Sequence, residues 1–179
     1  MHVSEEEHQR FLGALVASQK AQNVWVEHLR LKGFRAEIQP PIIRPNYDAN
    51  FVANFVDGGD VLCWPKDGSV TPWKMEVKGR GLMFTSAADF SWWTLFVDRC
   101  AKVDDDEAEP TDYYVSLNSA LTHAAVINAK TKARWSRRRV WDNEKGYWVL
   151  VYECPIELVK FVALEKGDAE DLGASGPAH

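Results

Sequence analysis

Asp60, Glu76 and Lys78 are the residues whose types and spacing best suit chemistry, and all fall within "DGGDVLCWPKDGSVTPWKMEVKGRG", residues 57–81. Within it "DVLCW" and "VTPWKMEVKG" are rich in β-formers, while "DGG" and "PKDGS" are turn signals, so the stretch predicts a hairpin. Side chains two apart on a strand share a face, roughly 7 Å from one another. Lys74, Glu76 and Lys78 therefore share one face, and Met75 and Val77 the other. Pairing the strands brings Asp60 beside Glu76 and Lys78. Charges on a half-buried strand are costly unless they are paired or hold a metal.

Two carboxylates and an ammonium at a sheet edge suit a hard cation. Mg²⁺ binds one or two carboxylates, keeps several waters and takes further ligands from phosphate. A neighbouring ammonium can hold a metal-bound water, or help deprotonate it, for in-line attack on phosphorus. The bland alternative is a cross-strand Glu–Lys pair on a surface hairpin, worth about a few tenths of a kcal/mol.

"GGDVLCW" followed by "KMEVKGRG" resembles the PD-(D/E)xK nuclease superfamily. There an acidic residue opens one strand and the next carries an (Asp/Glu)-x-Lys tripeptide, here Glu76-Val77-Lys78. The resemblance covers residues 20–100; beyond them "DYYVSLN" and "YWVLVYECP" look generally similar to small phage-type members. It implies a restriction-endonuclease-like α/β (α+β) fold, a mixed central sheet flanked by helices. It also implies Mg²⁺ or Mn²⁺ held by Asp60, Glu76 and the Val77 carbonyl, with Lys78 positioning the attacking water. The implied activity is endonucleolytic hydrolysis of DNA, with a homodimer as the arrangement for cutting both strands.

A helix preceding such strands often supplies another Glu, best matched by Glu27 in "NVWVEHLRLKGF"; the competing reading is an exposed Glu on an amphipathic helix. Asp57 is the alternative to Asp60, although an Asp before two glycines usually caps its own turn. Two departures stand out: Gly59 occupies the place of the family's Pro, and a long "PKDGSVTP" connection separates Asp60 from Glu76. An acid-x-Lys tripeptide arises by chance at this composition. The weight therefore rests on its place in a hairpin, on "GGD" before the partner strand and on "KGRG" after the Lys.

The elements that must position these residues are legible in part. Ser4 with Glu7 forms a capping box, so a helix should begin near residue 5, with Phe11, Leu15, Val26 and Leu29 on one stripe. It should thin or break near "SQKAQN" and stop at Gly33. "FRAEIQ" reads as a strand and "PPIIRPNYDANF" as irregular. "FTSAADFS" is a loop or short helix, and "WWTLFV" a strand that places one of Trp92 and Trp93 inward. "DDDEAEP" should be an exposed loop. "DYYVSLN" and "HAAVINA" form a strand pair, "KTKARWSRR" a short helix and "YWVLVYECP" a strand. "PIELVKFVAL" is a helix turn leading to an edge strand. The order predicts one domain over residues 1–165 with a disordered tail over 166–179.

Base is concentrated in "KTKARWSRRR", with Lys130, Lys132, Arg134, Arg137, Arg138 and Arg139 and no acid between them. With Trp135 and Trp141 interleaved, the run offers phosphate contacts beside stacking surface; the competing reading is a charged helix face with Trp in the core. Arg80, beside two glycines, is a further candidate for phosphate. The net charge of −5 excludes a surface that is basic throughout but permits a local basic face.

Cys63, Cys100 and Cys154 are odd in number and far apart, and the His residues are scattered. A disulfide framework or zinc site is therefore not indicated. The N-terminus is polar and acidic, unlike a secretory signal, and no apolar run spans a bilayer. The cytoplasm is the default. A nucleophile elbow, P-loop or dinucleotide fingerprint is not found. The competing class is a non-catalytic nucleic-acid- or protein-binding module on a nuclease-like fold.

Overall fold

Helix α1 (Glu5–Leu31) opens the chain, which a computed structural model describes over residues 5–40, 60–105, 110–142 and 146–165. The expected irregular segment after residue 40, Asp57 within it, and the C-terminal tail lie outside the described residues. α1 runs unbroken through "SQKAQN", where the sequence suggests a break. Ala, Gln and Lys are good helix formers even where the apolar stripe thins. The helix ends as expected at Gly33, whose φ is +81°. There the amides of Gly33 and Phe34 bond back to the carbonyls of Arg30 and Leu29 at 2.8 and 2.9 Å.

Strands β1 (Arg35–Ile38), β2 (Val61–Trp64) and β3 (Trp73–Gly79) follow as an antiparallel meander. β4 (Thr94–Arg99) and the short α2 (Cys100–Asp105) then lead to β5 (Tyr113–Leu117), which lies parallel to β3. β6 (His123–Asn128), a 3-10 turn over Ala129–Arg134, β7 (Ser136–Asp142), β8 (Tyr147–Pro155) and β9 (Val159–Ala163) complete the order. The result is α+β, with a mixed six-stranded sheet in the order β1-β2-β3-β5-β6-β9 and an antiparallel sheet β4-β8-β7. β9 is an edge strand, as its sequence predicts.

Alternation along the strands decides what each face of the large sheet meets. Met75 and Val77 of β3, with Val115 and Leu117 of β5, pack against Trp25, Val26 and Leu29 of α1. The other face carries Tyr114 of β5 and Ala125 and Ile127 of β6. These join Leu95 and Val97 of β4 and Tyr152 and Cys154 of β8 in a second core. The molecule is therefore layered as helix, sheet and sheet. A second sheet, rather than helices, covers the far face, because β4 and β8 carry the β-branched and aromatic residues that a pleated surface packs well.

Three local readings are corrected. Trp92 and Trp93 precede β4 instead of belonging to it, and both are exposed, at 53% and 89%. The acidic "DDDEAEP" begins inside α2 rather than in a loop. Only Ala129–Arg134 of the basic run is helical, as a 3-10 turn; Arg137, Arg138 and Arg139 lie on β7. Cross-strand pairing with β8 overrides the weak helical pattern there.

Candidate functional site

The hairpin forms in the expected register, with Val61 opposite Met75 and Leu62 opposite Lys74. Along β3, Glu76 and Lys78 stand beside Tyr114 and Ser116 of β5, on the face turned toward the second sheet. Glu76 is buried, at 6% exposure. Its Oε1 lies 2.6 Å from Lys102 Nζ of α2 and 3.5 Å from Lys78 Nζ. Lys78 forms its closer bond to Asp98 of β4, which is equally buried and lies 3.8 Å from Lys102. Glu76, Lys78, Asp98 and Lys102 thus form a quartet of alternating charge between the two sheets.

Burial pushes the Asp98 carboxyl up, but the charges of Lys78 and Lys102, with hydrogen bonds from Lys78 and the Arg99 amide, outweigh it. They hold the group below the usual carboxylate range. Arg80 extends the cluster inward. Its Nε donates to Ser116 Oγ and its Nη2 to the Phe96 carbonyl, both at 3.2 Å, and its guanidinium lies over the Phe96 ring. Desolvation lowers the Arg80 pKa, while Asp98 and Glu76 oppose the shift. These two donors are directed into the protein.

Asp60 immediately precedes β2, and its Oδ2 accepts the Val77 amide at 2.7 Å. That bond ties it to the peptide between Glu76 and Lys78, so three of the expected residues do converge on one segment. Val77 itself is fully buried and faces α1. Glu27 is not brought to them. It is exposed on α1, whose buried residues Trp25, Val26 and Leu29 pack on the opposite face of the large sheet.

A cavity of about 290 Å³ adjoins the quartet, lined by Lys78, Phe96, Asp98 and Arg99 with Val140, Asp142, Val149 and Val151. Among the described residues no group of three or more His, Cys, Asp or Glu side chains is assembled as a metal cage. Glu76 and Asp98 are both reached by Lys78, and the Asp60 carboxylate accepts from the backbone of the same strand. Sequence reasoning missed Asp98 and Lys102. Their only signal was an acid and a base four apart after an apolar strand, which is common on any helix start.

The basic run is divided by its partners. Lys132 and Arg137 share Asp104 at 2.6 and 3.3 Å. Arg134 meets Glu157 at 3.5 Å, and Arg138 meets the buried Glu153 at 2.7 Å. Lys130 is exposed, and Arg139 lies 5.7 Å from the Trp148 ring centre. Trp135 is buried against Tyr114 and Tyr152, while Trp141 is half exposed. All three cysteines are buried, and burial pushes the Cys63 and Cys154 thiols up to about 11.

No protein-family model matches this chain, and neither a curated protein nor a solved structure does. Among the described residues, no helix is long and apolar enough to cross a membrane.

Proposed function

We propose that this protein is a metal-dependent nuclease of restriction-endonuclease-like fold that hydrolyses phosphodiester bonds of DNA, most simply as an endonuclease. The observation that carries the reading is Glu76-Val77-Lys78 on β3. Both charged side chains turn into the cleft between the sheets, and Asp60 is bonded to the intervening amide. The mixed sheet, in which β3 pairs antiparallel with β2 and parallel with β5, supports it further, because the resemblance implies a mixed central sheet.

Glu76 and Asp60 would hold Mg²⁺ or Mn²⁺, which supplies Lewis-acid activation of water and neutralisation of phosphate charge. Asp98 fixes the Lys78 ammonium by charge and hydrogen bond, and so orients it toward the cavity it lines. From there Lys78 stabilises the negative charge that develops on the phosphoryl oxygens during attack. Lys102 pairs with the Glu76 carboxylate and would compete with a cation for it. Burial of both carboxylates lowers the effective dielectric and strengthens each of these terms.

A second reading has its own observation: the buried carboxylates already have ammonium partners, so the quartet is self-neutralised. This favours a non-catalytic module that grips DNA or a protein. Cleavage of labelled single-stranded and duplex DNA in Mg²⁺ or Mn²⁺, beside Glu76→Ala and Lys78→Ala, separates the two. Cutting by the native chain that is lost in both folded variants is the expected result. DNA binding without cutting, unchanged by metal and by both substitutions, leaves the binding module.

A further inference from the structure

β7 forms one edge of the small sheet, and its alternation sorts the basic run into two faces. Arg137, Arg139 and Trp141 share one face with their partners across the ladder, Tyr152, Leu150 and Trp148. At the inner end Tyr152 is buried against Trp135. Toward the hairpin end the same face opens, with Leu150, Trp141 and Trp148 exposed at 42%, 48% and 55%. The two indoles meet edge to face at 5.6 Å, and the Arg139 guanidinium lies over Trp148. Such an apolar patch of large rings needs an occupant to be explained.

Charge indicates which occupant. Among the described residues Lys132, Arg134, Arg137 and Arg138 pair with Asp104, Glu153 and Glu157, four cations on three carboxylates, and Lys130 and Arg139 add two more positive charges to the same run. Exposed indoles interleaved with guanidinium groups match unpaired bases strung on a phosphate backbone. Bases inside a duplex offer no such face.

We infer that the outer half of this face, Arg139, Trp141, Trp148 and Leu150, is a stacking platform for single-stranded DNA. The choice of DNA rests on the nuclease reading above; the platform rests on the sheet face itself.

The test is fluorescence anisotropy with a labelled oligo-dT of about 15 nucleotides, the length that one small binding surface spans. The matching duplex and oligo-rU are run beside it, all in EDTA. Trp141→Ala and Trp148→Ala should each weaken oligo-dT binding about 5- to 100-fold, with Phe at either position retaining most of it. Trp93→Ala, exposed elsewhere, should change nothing. Arg139→Gln should flatten the log-affinity against log-salt slope by about 0.7. No oligo-dT binding, duplex bound as tightly, oligo-rU bound more tightly, or alanine variants that bind normally would each overturn it. So would concentration-dependent sedimentation abolished by Trp148→Ala, which would make a second copy the occupant. Because metal is excluded, a protein that binds but never cuts leaves this inference standing and removes only the nuclease reading. Cutting with oligo-dT affinity indifferent to both alanines removes only this one.

Discussion

The residue that ties the candidate site together is Asp98, because both ammonium groups of the quartet reach it. Asp98→Ala would remove from Lys78 and Lys102 the carboxylate that both reach besides Glu76. A loss of about 1–3 kcal/mol is expected in urea unfolding, below the full cost of breaking a buried pair because both lysines are partly exposed. The pH dependence follows from the same group. Its folded pKa lies below its unfolded value, so its contribution is fully present above the unfolded pKa of about 3.9 and is lost as pH falls through the lower folded value. Acid unfolding of the native chain should steepen below pH of about 4, and Asp98→Asn should remove that component. Under the proposed function, Lys102→Ala should reduce the Mg²⁺ needed for half-maximal cleavage several-fold, about what loss of one competing charge-assisted bond predicts. An unchanged metal requirement would show that Lys102 does not compete for the Glu76 carboxylate.

At the scale of elements, β3 is the strand on which the site depends, and α1 is what keeps it in place. Trp25 is 4% exposed and its Nε1 donates to Met75 Sδ at 3.2 Å, directly behind Glu76. Trp25→Ala should cost about 3–5 kcal/mol in thermal or urea unfolding by leaving a cavity between α1 and β3. Under the proposed function, cleavage at a temperature where the variant remains folded should fall as well, because β3 loses its backing. Among the described residues an added Cβ at Gly33 meets Lys66 alone, in ordinary contact, so crowding there is slight. The φ of +81° is limiting, and Gly33→Ala should destabilise by about 1–2 kcal/mol. A larger loss would mean that the exit of α1 fixes the register of β1 more tightly than its few hydrogen bonds indicate.

The whole molecule sets the direction of approach to the site. Helix α1 covers one face of the large sheet, and the charged face of β3 turns toward the second sheet. The 290 Å³ cavity opens there, lined on the small-sheet side by Val140, Val149 and Val151. In the β7–β8 ladder Arg138, Val140 and Asp142 alternate with Arg139 and Trp141. The ribbon therefore presents its valine face to the cavity, while the opposite face carries Tyr152 in the second core and the exposed indoles of Trp141 and Trp148 beyond it. Under the proposed function, widening the cavity with Val151→Ala should change cleavage more than binding. Substitutions on the opposite face should do the reverse. Steady-state cleavage beside anisotropy in EDTA checks this division.

Much of the fold was legible from local pattern. The hairpin, the β5–β6 pair, β8 and the stop of α1 follow from turn residues and alternation, which act within a few residues, while the Ser4 of the expected capping box lies outside the described residues. Glu76 and Lys78 on one face follow from the two-residue period alone. Tertiary contacts decided the rest. Burial of the far sheet face by β4 and β8, the strand conformation of Arg137–Arg139, and the exposure of Trp92 and Trp93 all depend on partners distant in sequence. So does the quartet: Asp98 and Lys102 join Glu76 only because the segment after β3 returns over the sheet through β4 and α2. Glu27 is separated from Glu76 for the same reason, since the sheet lies between them. Side-chain period and turn chemistry are encoded in neighbouring residues. Which charges meet across a cleft is set by chain topology and burial, which no short stretch carries.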